Sequence, residues 1–312
     1  MALKYSVKAS ALAVAGFDAV ENPREVLEMI AQAGYNGIEL KGEPDRIDPT
    51  LAREIARIAA SLGLELPTLG GSWGGWDAGE ERDLASSDNA VRRHALDYAQ
   101  KCIDLTANLG SPIFEVCAAP LRPDYPRSSV PLEIIRQNFI KSASEICEYT
   151  AARNVAIAIE PINRYEGHPG FLNSVADTMS VIGEIDASNP STSDVLSSSK
   201  GSRQALGVLV DFFHANIEDT SICGALRMAG SKLMNVHVSD SNREAPGTGH
   251  IDFIEVIRTL DEIGYQGFLS IGFVPSRLNV ELLRETLLES SVNYLNQLER
   301  VVAVQKRTYQ EV

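Results

Sequence analysis

The sequence is poor in several features that mark particular classes of protein. It has four cysteines in 312 residues, without a CxxC pair or the Cys/His spacing of a zinc site. We therefore expect buried thiols in a reducing compartment rather than disulfides. No apolar run approaches the roughly 20 residues that a membrane span requires, and no N-terminal segment has the pattern of a secretory signal peptide. These absences predict a cytoplasmic protein with no membrane partner.

Positive charge is also scarce. The 28 basic residues are outnumbered by 42 acidic ones, which gives a formal net charge of −14. Because binding to nucleic acids depends on lysine and arginine at the phosphates, no nucleic-acid partner is expected, and a DNA-repair endonuclease is disfavoured. Hydrophobic residues make up 44% of the chain, enough for a large core. A chain of this length fits one α/β barrel domain.

Short apolar runs alternate with amphipathic segments along the whole chain. The amphipathic segments have apolar residues at i, i+3 and i+4, the spacing of helices; the clearest are Pro23–Ile30, Ala90–Leu109, Leu132–Ala152, Phe253–Ile263 and Val280–Val301. The predicted strands are Tyr5–Lys8, Asn36–Leu40, Leu64–Leu69, Ile113–Val116, Val155–Glu160, Leu206–Asp211, Leu233–Val238 and Gly267–Ile271. Parallel strands joined by right-handed helical crossovers predict a (β/α)₈ barrel that forms a single domain over residues 1–312.

The alternative fold is an open, doubly wound sheet. That fold has a glycine-rich phosphate loop after its first strand, and no GxGxxG follows the first predicted strand here. One polar segment, residues 186–203, breaks the alternation of strands and helices. Its serine-rich, low-complexity sequence predicts a loop insertion on the N-terminal side of the barrel. We interpret it as a mobile insertion, with a subunit contact as the alternative.

Three of the predicted strands end in a side chain that can bind a metal ion, namely Glu160, Asp211 and His237. The C-terminal ends of barrel strands meet at one end of the barrel, where active sites of this fold lie. Two carboxylates and one imidazole suit Mn²⁺, Mg²⁺ or Co²⁺, with water or substrate oxygens as the remaining ligands. The sequence therefore predicts a divalent-metal site at these strand ends.

Further polar side chains follow each of the three strand ends within a few residues. Glu166 follows Glu160, His214 follows Asp211, and Arg243 follows His237. Each of the three later side chains can form hydrogen bonds with hydroxyl or carbonyl oxygens of a polyol. We therefore expect Glu166, His214 and Arg243 to bind a small carbohydrate substrate.

The segments Ile159–Glu166, Asp211–His214 and His237–Arg243 together resemble the ketose 3-epimerases of the tagatose/psicose 3-epimerase type. These enzymes belong to the xylose-isomerase-like barrel superfamily. The resemblance implies that the residue at 160 binds the metal and acts as a base, and that those at 211 and 237 are metal ligands. It also implies sugar contacts at 166, 214 and 243. We expect Mn²⁺ as the metal and a homo-oligomer as the assembly.

One position departs from this family. The ketose 3-epimerases have a second metal-binding glutamate on the last strand, and the matching position here, 35 residues after His237, is Gly272. Epimerisation needs proton removal on one face and delivery on the other. Two other carboxylates, Glu39 and Glu115, lie near strand ends but not on the last strand.

Three functions remain open at this point. The first is a divalent-metal-dependent epimerase or isomerase that acts on a ketose or keto-sugar through an enediolate. The second is a metal-dependent lyase, a dehydratase or decarboxylase on a keto-sugar derivative that uses one base. The third is an inactive sugar-binding variant, since Gly272 stands where the second catalytic glutamate would be.

Overall fold

The structure of the protein is a computed structural model that describes residues 3–73, 82–117, 130–166, 171–189, 195–198, 201–273 and 285–310. The strands in chain order are β1 (Lys4–Lys8), β2 (Gly37–Lys41), β3 (Leu69–Gly70), β4 (Ile113–Val116), β5 (Ala156–Ile159), β6 (Val195–Ser198), β7 (Gly201–Gln204), β8 (Leu206–Asp211), β9 (Leu233–Val238) and β10 (Phe268–Ile271). Eight of them form a closed barrel in the order β1-β10-β9-β8-β5-β4-β3-β2. The pairs in the barrel are parallel, so the prediction of a (β/α)₈ barrel is confirmed.

Helices follow the strands around the barrel. Those described are α1 (Ala9–Val14), α2 (Pro23–Gln32), α3 (Pro49–Ser61), α4 (Asn89–Leu109), α5 (Leu132–Thr150), α6 (Val175–Ser188), α7 (Phe212–Glu218), α8 (Ile222–Ala229), α9 (Phe253–Glu262) and α10 (Ser291–Gln310), with a short 3₁₀ helix at Gly230–Lys232 and a π-helical turn at Thr286–Ser290. Local sequence explains several boundaries. Asp48 accepts hydrogen bonds from the first backbone amides of α3, and Gly110 ends α4 with a φ of 66°, as N- and C-caps require.

Two elements differ clearly from their predicted bounds. Strand β3 covers only Leu69–Gly70 of the predicted Leu64–Leu69, because Pro67 has no amide hydrogen to donate to a neighbouring strand. Helix α10 extends to Gln310, beyond the predicted end, whereas residues 280–284 of that prediction lie outside the described residues.

The polar segment at 186–203 contains regular structure that the sequence did not indicate. Strands β6 and β7 pair with each other in an antiparallel sheet, with Val195 opposite Gln204 and Ser198 opposite Gly201. The prediction of a loop is therefore wrong for these residues. Two strands that pair with each other form backbone hydrogen bonds whatever their side chains are, so their sequence need not show the alternation on which strand prediction relies.

The main core lies between the barrel strands and the surrounding helices. A second, smaller apolar cluster lies in the barrel interior. All four cysteines are buried and free, in agreement with the predicted thiols. Among the described helices, none combines the length and the apolar character of a membrane span.

Candidate active site

Alternate residues of each strand point into the barrel, since successive side chains face opposite sides of a strand. Within strands β4, β5 and β8 the interior is lined by an apolar cluster, which consists of Ile113, Ala156, Ala158 and Leu209. Two residues beyond members of this cluster, on the same faces, lie Glu115, Glu160 and Asp211. Barrel geometry thus brings all three carboxylates to the C-terminal end of the barrel, where we locate the candidate active site.

His237 lies between two carboxylates. Its Nδ1 is 3.0 Å from Glu160 Oε1, and its Nε2 is 3.0 Å from both carboxylate oxygens of Glu39. Burial disfavours the charged imidazole, but Glu39 and Glu160 outweigh it and raise the pKa of His237 to about 10. Burial alone would raise the pKa of Glu39. The nearby His237 and then Lys8 outweigh that effect and lower the pKa of Glu39 to about 2.

The Glu39 contact also decides which nitrogen of His237 is able to bind a cation. A carboxylate that accepts the Nε2 hydrogen holds the neutral ring in the tautomer whose lone pair is on Nδ1. Nδ1 faces Glu160 at 3.0 Å and Asp211 Oδ2 at 3.9 Å. In its neutral form, which a metal ion requires, His237 therefore directs Nδ1 toward the same region as the two predicted carboxylate ligands.

Asp211 has two partners at the end of β8. Its Oδ1 accepts a hydrogen bond from the Phe213 amide at 2.8 Å, so it is the N-cap of α7. Its Oδ2 accepts from Arg243 Nη1 at 2.7 Å. Burial favours the protonated acid, but Arg243 and then His214 outweigh it and lower the pKa of Asp211. The carboxylate is thus charged and held from both sides.

Arg243 reaches Asp211 from an unusual backbone conformation. Its φ is 63°, in the left-handed region that is unfavourable for a residue with a Cβ. The turn is closed by a hydrogen bond from the Arg243 amide to the Asp240 carbonyl at 2.9 Å. The guanidinium carbon lies 4.7 Å from the centroid of the Phe213 ring. Backbone strain of this kind concentrates at functional sites, which agrees with a role for this side chain in the active site.

His214 is oriented by Asn163. The Asn163 Oδ1 accepts from the amides of Tyr165 and Glu166, at 3.0 and 3.2 Å, so its Nδ2 faces His214 Nδ1 at 2.7 Å. Since an amide nitrogen can only donate, His214 Nδ1 must accept. Burial lowers the pKa of His214 to about 4, so the ring is neutral and carries its hydrogen on Nε2. That hydrogen points toward Asp211 Oδ2, 3.9 Å away.

Two imidazoles compete for the position of metal ligand. The described donor atoms that lie within 4.8 Å of one another belong to Glu160, Asp211 and His214, whereas the sequence predicts His237 as the third ligand. The hydrogens distinguish the two rings, because His214 presents an N–H toward this region, whereas the neutral form of His237, which a metal ion requires, would present the Nδ1 lone pair there. We therefore keep His237 as the predicted ligand and His214 as a hydrogen-bond donor.

Glu166 is the third predicted substrate contact, and it lies at the edge of this cluster. Its Oε2 is 3.8 Å from His214 Nδ1, and its side chain is half-buried. Burial raises its pKa, against the opposing effect of Arg243. All six predicted site residues therefore come together in one part of the molecule.

The structure adds charged residues that the sequence reasoning did not assign to the site. Glu39 and Glu115 both reach it, from β2 and β4. Glu115 Oε2 accepts from the Gly71 amide at 2.6 Å, while Oε1 is buried and has no hydrogen-bond partner in the structure. Burial, followed by repulsion from Glu160, raises the pKa of Glu115 to about 8. A single acidic residue within each otherwise apolar strand was the available signal.

Lys8, at the end of β1, is the most informative addition. Its Nζ is 3.0 Å from Nδ1 and 3.3 Å from Nε2 of His237, and 3.6 Å from Glu39 Oε1. Burial disfavours the ammonium, but Glu39 and then Glu160 outweigh it and raise the pKa of Lys8. In the sequence, Lys8 is only the last residue of a predicted strand. No sequence pattern indicates which groups Lys8 contacts.

A cavity of about 320 Å³ opens beside these groups. Its walls include Lys8, Glu39, Glu115, Glu160, His214, Arg243 and Trp73. The Trp73 ring packs edge-on against Tyr98, with 5.3 Å between ring centroids, and its Nε1 donates to the Glu115 carbonyl at 3.3 Å. The cavity thus combines an aromatic wall with charged groups, and its volume suits a small polar ligand.

Comparisons with known proteins identify the relatives of this chain. The chain is 26% identical over 247 residues to D-psicose 3-epimerase of Ruminiclostridium cellulolyticum, covering 77% of this chain and 74% of that protein. It is 28% identical over 262 residues to 3-dehydro-D-guloside 4-epimerase of Escherichia coli, covering 80% and 86%. It is 26% identical over 271 residues to L-ribulose 3-epimerase of Methylomonas sp., covering 85% and 82%. The relatives are thus epimerases, which are isomerases, and the predicted resemblance to ketose 3-epimerases is confirmed.

Solved structures show the same fold. A structure of L-ribulose 3-epimerase aligns with a TM-score of 0.79 at 20% identity and covers 99% of this chain and 98% of its own. D-psicose 3-epimerase from Clostridium cellulolyticum H10, with D-tagatose, aligns with a TM-score of 0.74 at 21% identity and covers 96% and 99%. The family model described as a xylose isomerase-like TIM barrel matches residues 27–298. With this match over most of its length, the chain belongs to the xylose isomerase-like TIM barrel family.

Proposed function

We propose that the protein is a divalent-metal-dependent epimerase or isomerase that acts on a ketose or keto-sugar through an enediolate. The observation that carries the proposal is the convergence of Asp211 and His237 on Glu160, which lines the cavity, with Nδ1 of His237 3.0 Å from Glu160 and 3.9 Å from Asp211. The named relatives support it, since they act on ketoses and a keto-glycoside.

The donor set fits a divalent cation. Two buried carboxylates and one imidazole are ligands of the kind that Mn²⁺, Mg²⁺ and Co²⁺ accept, and Glu39 fixes the imidazole through the nitrogen that is not needed for binding. We propose Mn²⁺ held by Glu160, Asp211 and His237. When bound, such an ion polarises the carbonyl and an adjacent hydroxyl of the sugar.

The residues of the chain supply proton transfer and orientation. Glu160 is the proposed base, and it removes the proton from the carbon next to the substrate carbonyl. Arg243 and Glu166 bind hydroxyl oxygens of the sugar. His214 donates through the Nε2 hydrogen that Asn163 fixes.

A second function, the metal-dependent lyase, is favoured by Gly272. A dehydratase or decarboxylase needs one base next to the carbonyl, and the position after β10 carries no carboxylate. Elimination would release water or carbon dioxide, whereas epimerisation leaves the mass of the sugar unchanged. Mass spectrometry of the product therefore separates the two reactions.

The proposal is tested by combining the protein with Mn²⁺ and either D-psicose or L-ribulose and following the sugars by NMR. We expect the epimer of the sugar as product, and a loss of about 10²–10⁴-fold in rate in Glu160→Gln, the contribution typical of a positioned acid or base. The matched control is Glu262→Gln, which removes the charge of a surface carboxylate paired with Arg227. Turnover that is unaffected by chelator, or by Glu160→Gln, would contradict the proposal.

A separate measurement tests whether His237 or His214 is the imidazole ligand of the metal. Calorimetric titration with Mn²⁺ should show weaker binding in His237→Ala than in His214→Ala, because only His237, in the neutral form that a metal ion binds, directs a lone pair toward the region of the two carboxylates. The opposite order would assign the metal to His214. Binding of sugar without any turnover would support the inactive variant instead.

A further inference from the structure

The side of the cavity next to Gly272 contains a charged group from another strand. In the barrel, β1 lies beside β10, with Val7 opposite Ile271, so Lys8 and Gly272 follow side by side. A Cβ added to Gly272 would lie 2.5, 2.8 and 2.9 Å from Cδ, Cγ and Cβ of Lys8. The stem of Lys8 therefore fills the space into which a side chain at position 272 would extend.

The strand that carries Lys8 is opposite the strand that leads into Glu160, and the two side chains meet at His237 Nδ1, 3.0 Å from each. Glu160 follows β5, and Lys8 ends β1. Three strands separate β5 from β1 in each direction around the barrel: β8, β9 and β10 on one side, and β4, β3 and β2 on the other. Glu115 does not meet this condition, because β4 is the immediate neighbour of β5. Of the charged groups described in this cavity, Lys8 is the one on the strand opposite the proposed base.

Glu39 has nearer partners than Lys8. Both oxygens of Glu39 are 3.0 Å from His237 Nε2, and Oε2 also accepts from Asn235 at 3.0 Å. Lys8 adds a longer contact of 3.6 Å. Placing an ammonium among buried groups carries a desolvation penalty, and Lys8 bears that penalty at a position from which it can contact a molecule in the cavity. Its side chain is 23% exposed, and it lines the cavity.

We propose that Lys8 is the second proton-transfer group of the active site and serves the substrate face opposite Glu160. This inference rests on the proposed function. In one direction, the Glu160 carboxylate takes the proton from the carbon next to the carbonyl, and the electron pair of the C–H bond forms the enediolate. The Lys8 ammonium then gives a proton to the other face of that carbon as the carbonyl re-forms. Glu160 is left as the acid and Lys8 as the amine, and exchange with water restores both. In the reverse direction the two groups exchange roles.

The experiment measures deuterium exchange separately for two epimers. The protein with Mn²⁺ is placed in D₂O with D-psicose or with its C3 epimer D-fructose, and deuterium at C3 is followed by NMR before conversion is complete. We expect Lys8→Met to abolish exchange from one epimer and keep it for the other, while Glu160→Gln has the reverse preference. Interconversion should fall by about 10²–10⁴-fold in each variant.

Two further variants exclude a purely electrostatic role. Lys8→Arg keeps the charge but does not release its proton, so it should lose interconversion as Lys8→Met does. The matched control is Lys4→Met, on the same strand, whose Nζ pairs with Glu65 on the surface at 2.8 Å and whose loss should leave all rates unchanged. Full interconversion in Lys8→Arg or Lys8→Met would overturn the inference.

A structural role for Lys8 predicts different results. If Lys8→Met lowers exchange from both epimers equally, or weakens Mn²⁺ binding by more than tenfold in calorimetry, the lysine only supports the site and the inference is overturned. Unchanged or tighter Mn²⁺ binding with loss of exchange from one epimer supports it. A parent protein that exchanges neither ketose contradicts the proposed function itself, and the inference about Lys8 falls with it.

Discussion

The two halves of the barrel interior are built differently. On one half, β4, β5 and β8 contribute the apolar cluster that consists of Ile113, Ala156, Ala158 and Leu209. On the other half, β1, β2, β9 and β10 contribute a buried polar chain that consists of Ser6, Ser270, Asn235 and Glu39. We call these the packed half and the hydrogen-bonded half.

Contacts in the hydrogen-bonded half form a continuous path. The hydroxyls of Ser6 and Ser270 are 2.7 Å apart, Asn235 Nδ2 donates to Ser270 Oγ at 3.2 Å and to Glu39 Oε2 at 3.0 Å, and Glu39 reaches His237. Directional bonds of this kind fix the tautomer and orientation of the groups at their end.

The difference shows how the site combines two kinds of support. Glu160 and Asp211 continue the strands of the packed half, where their positions follow from non-directional packing of buried apolar groups. His237 and Lys8 continue strands of the hydrogen-bonded half, where position depends on particular partners. We therefore expect substitutions in the packed half to change stability most, and substitutions in the hydrogen-bonded half to act mainly on the site.

Removing Leu209 should have the largest effect on stability. Leu209 is fully buried in the packed half, and Leu209→Ala removes its methyl groups and leaves a cavity, which costs about 2–5 kcal/mol in cases of this type. Denaturant unfolding would measure the loss. Val304→Ala, at a 63% exposed position of α10, is the control and should change stability by less than about 0.5 kcal/mol. Similar losses in both variants would mean that the interior cluster contributes little.

Truncation of Arg243 tests the substrate-facing end of the packed half, because Arg243 contacts Asp211 at the end of β8. Arg243→Ala removes a hydrogen bond to the buried Asp211 carboxylate, and a bond to a charged group is worth about 1.5–3 kcal/mol. The expected result is a ten- to hundredfold loss in kcat/KM, and His214→Ala should act in the same direction. Arg258→Ala, which loses a surface contact with Gln305, is the control. Unchanged kinetics in both active-site variants would place the substrate elsewhere.

A side chain at position 272 tests the steric coupling within the hydrogen-bonded half. Gly272→Glu places a Cβ within 2.5–2.9 Å of the Lys8 stem, and overpacking of this kind costs about 1–3 kcal/mol. In the double variant with Lys8→Gly the conflicting atoms are gone, so stability should recover relative to the sum of the single changes. Denaturant unfolding of the four proteins measures the coupling. Strictly additive free energies would show that the two side chains do not compete for this space.

The smallest effect is expected from the hydroxyl pair at the start of the hydrogen-bonded path. Ser270→Ala removes a partner of both Ser6 and Asn235, and a single neutral hydrogen bond contributes about 0.5–1.5 kcal/mol. Thermal unfolding should show a small decrease, and adding Ser6→Ala should cost less than it does alone, because its partner is already lost. A larger loss than in Leu209→Ala would contradict the distinction between the two halves.

Much of the fold was predictable because it depends on local patterns. Apolar runs bounded by glycine and polar residues give strands, amphipathic spacing gives helices, and their alternation gives the barrel. Pro67 and the β6–β7 pair are the exceptions, since one shortens a strand within an apolar run and the other forms strands without an apolar pattern. The oligomeric state and cellular location stay predictions.

The sequence by itself determined which side chains stand at the strand ends, among them Glu160, Asp211 and His237, and it showed that position 272 has none. A strand end is a local property, so these residues could be read in order along the chain. The barrel closes by pairing β1 with β10, and that pairing is what brings Lys8 from one end of the sequence beside Gly272 near the other. Only the tertiary structure decided this contact, because closure of the barrel sets the register between strands that share no local pattern.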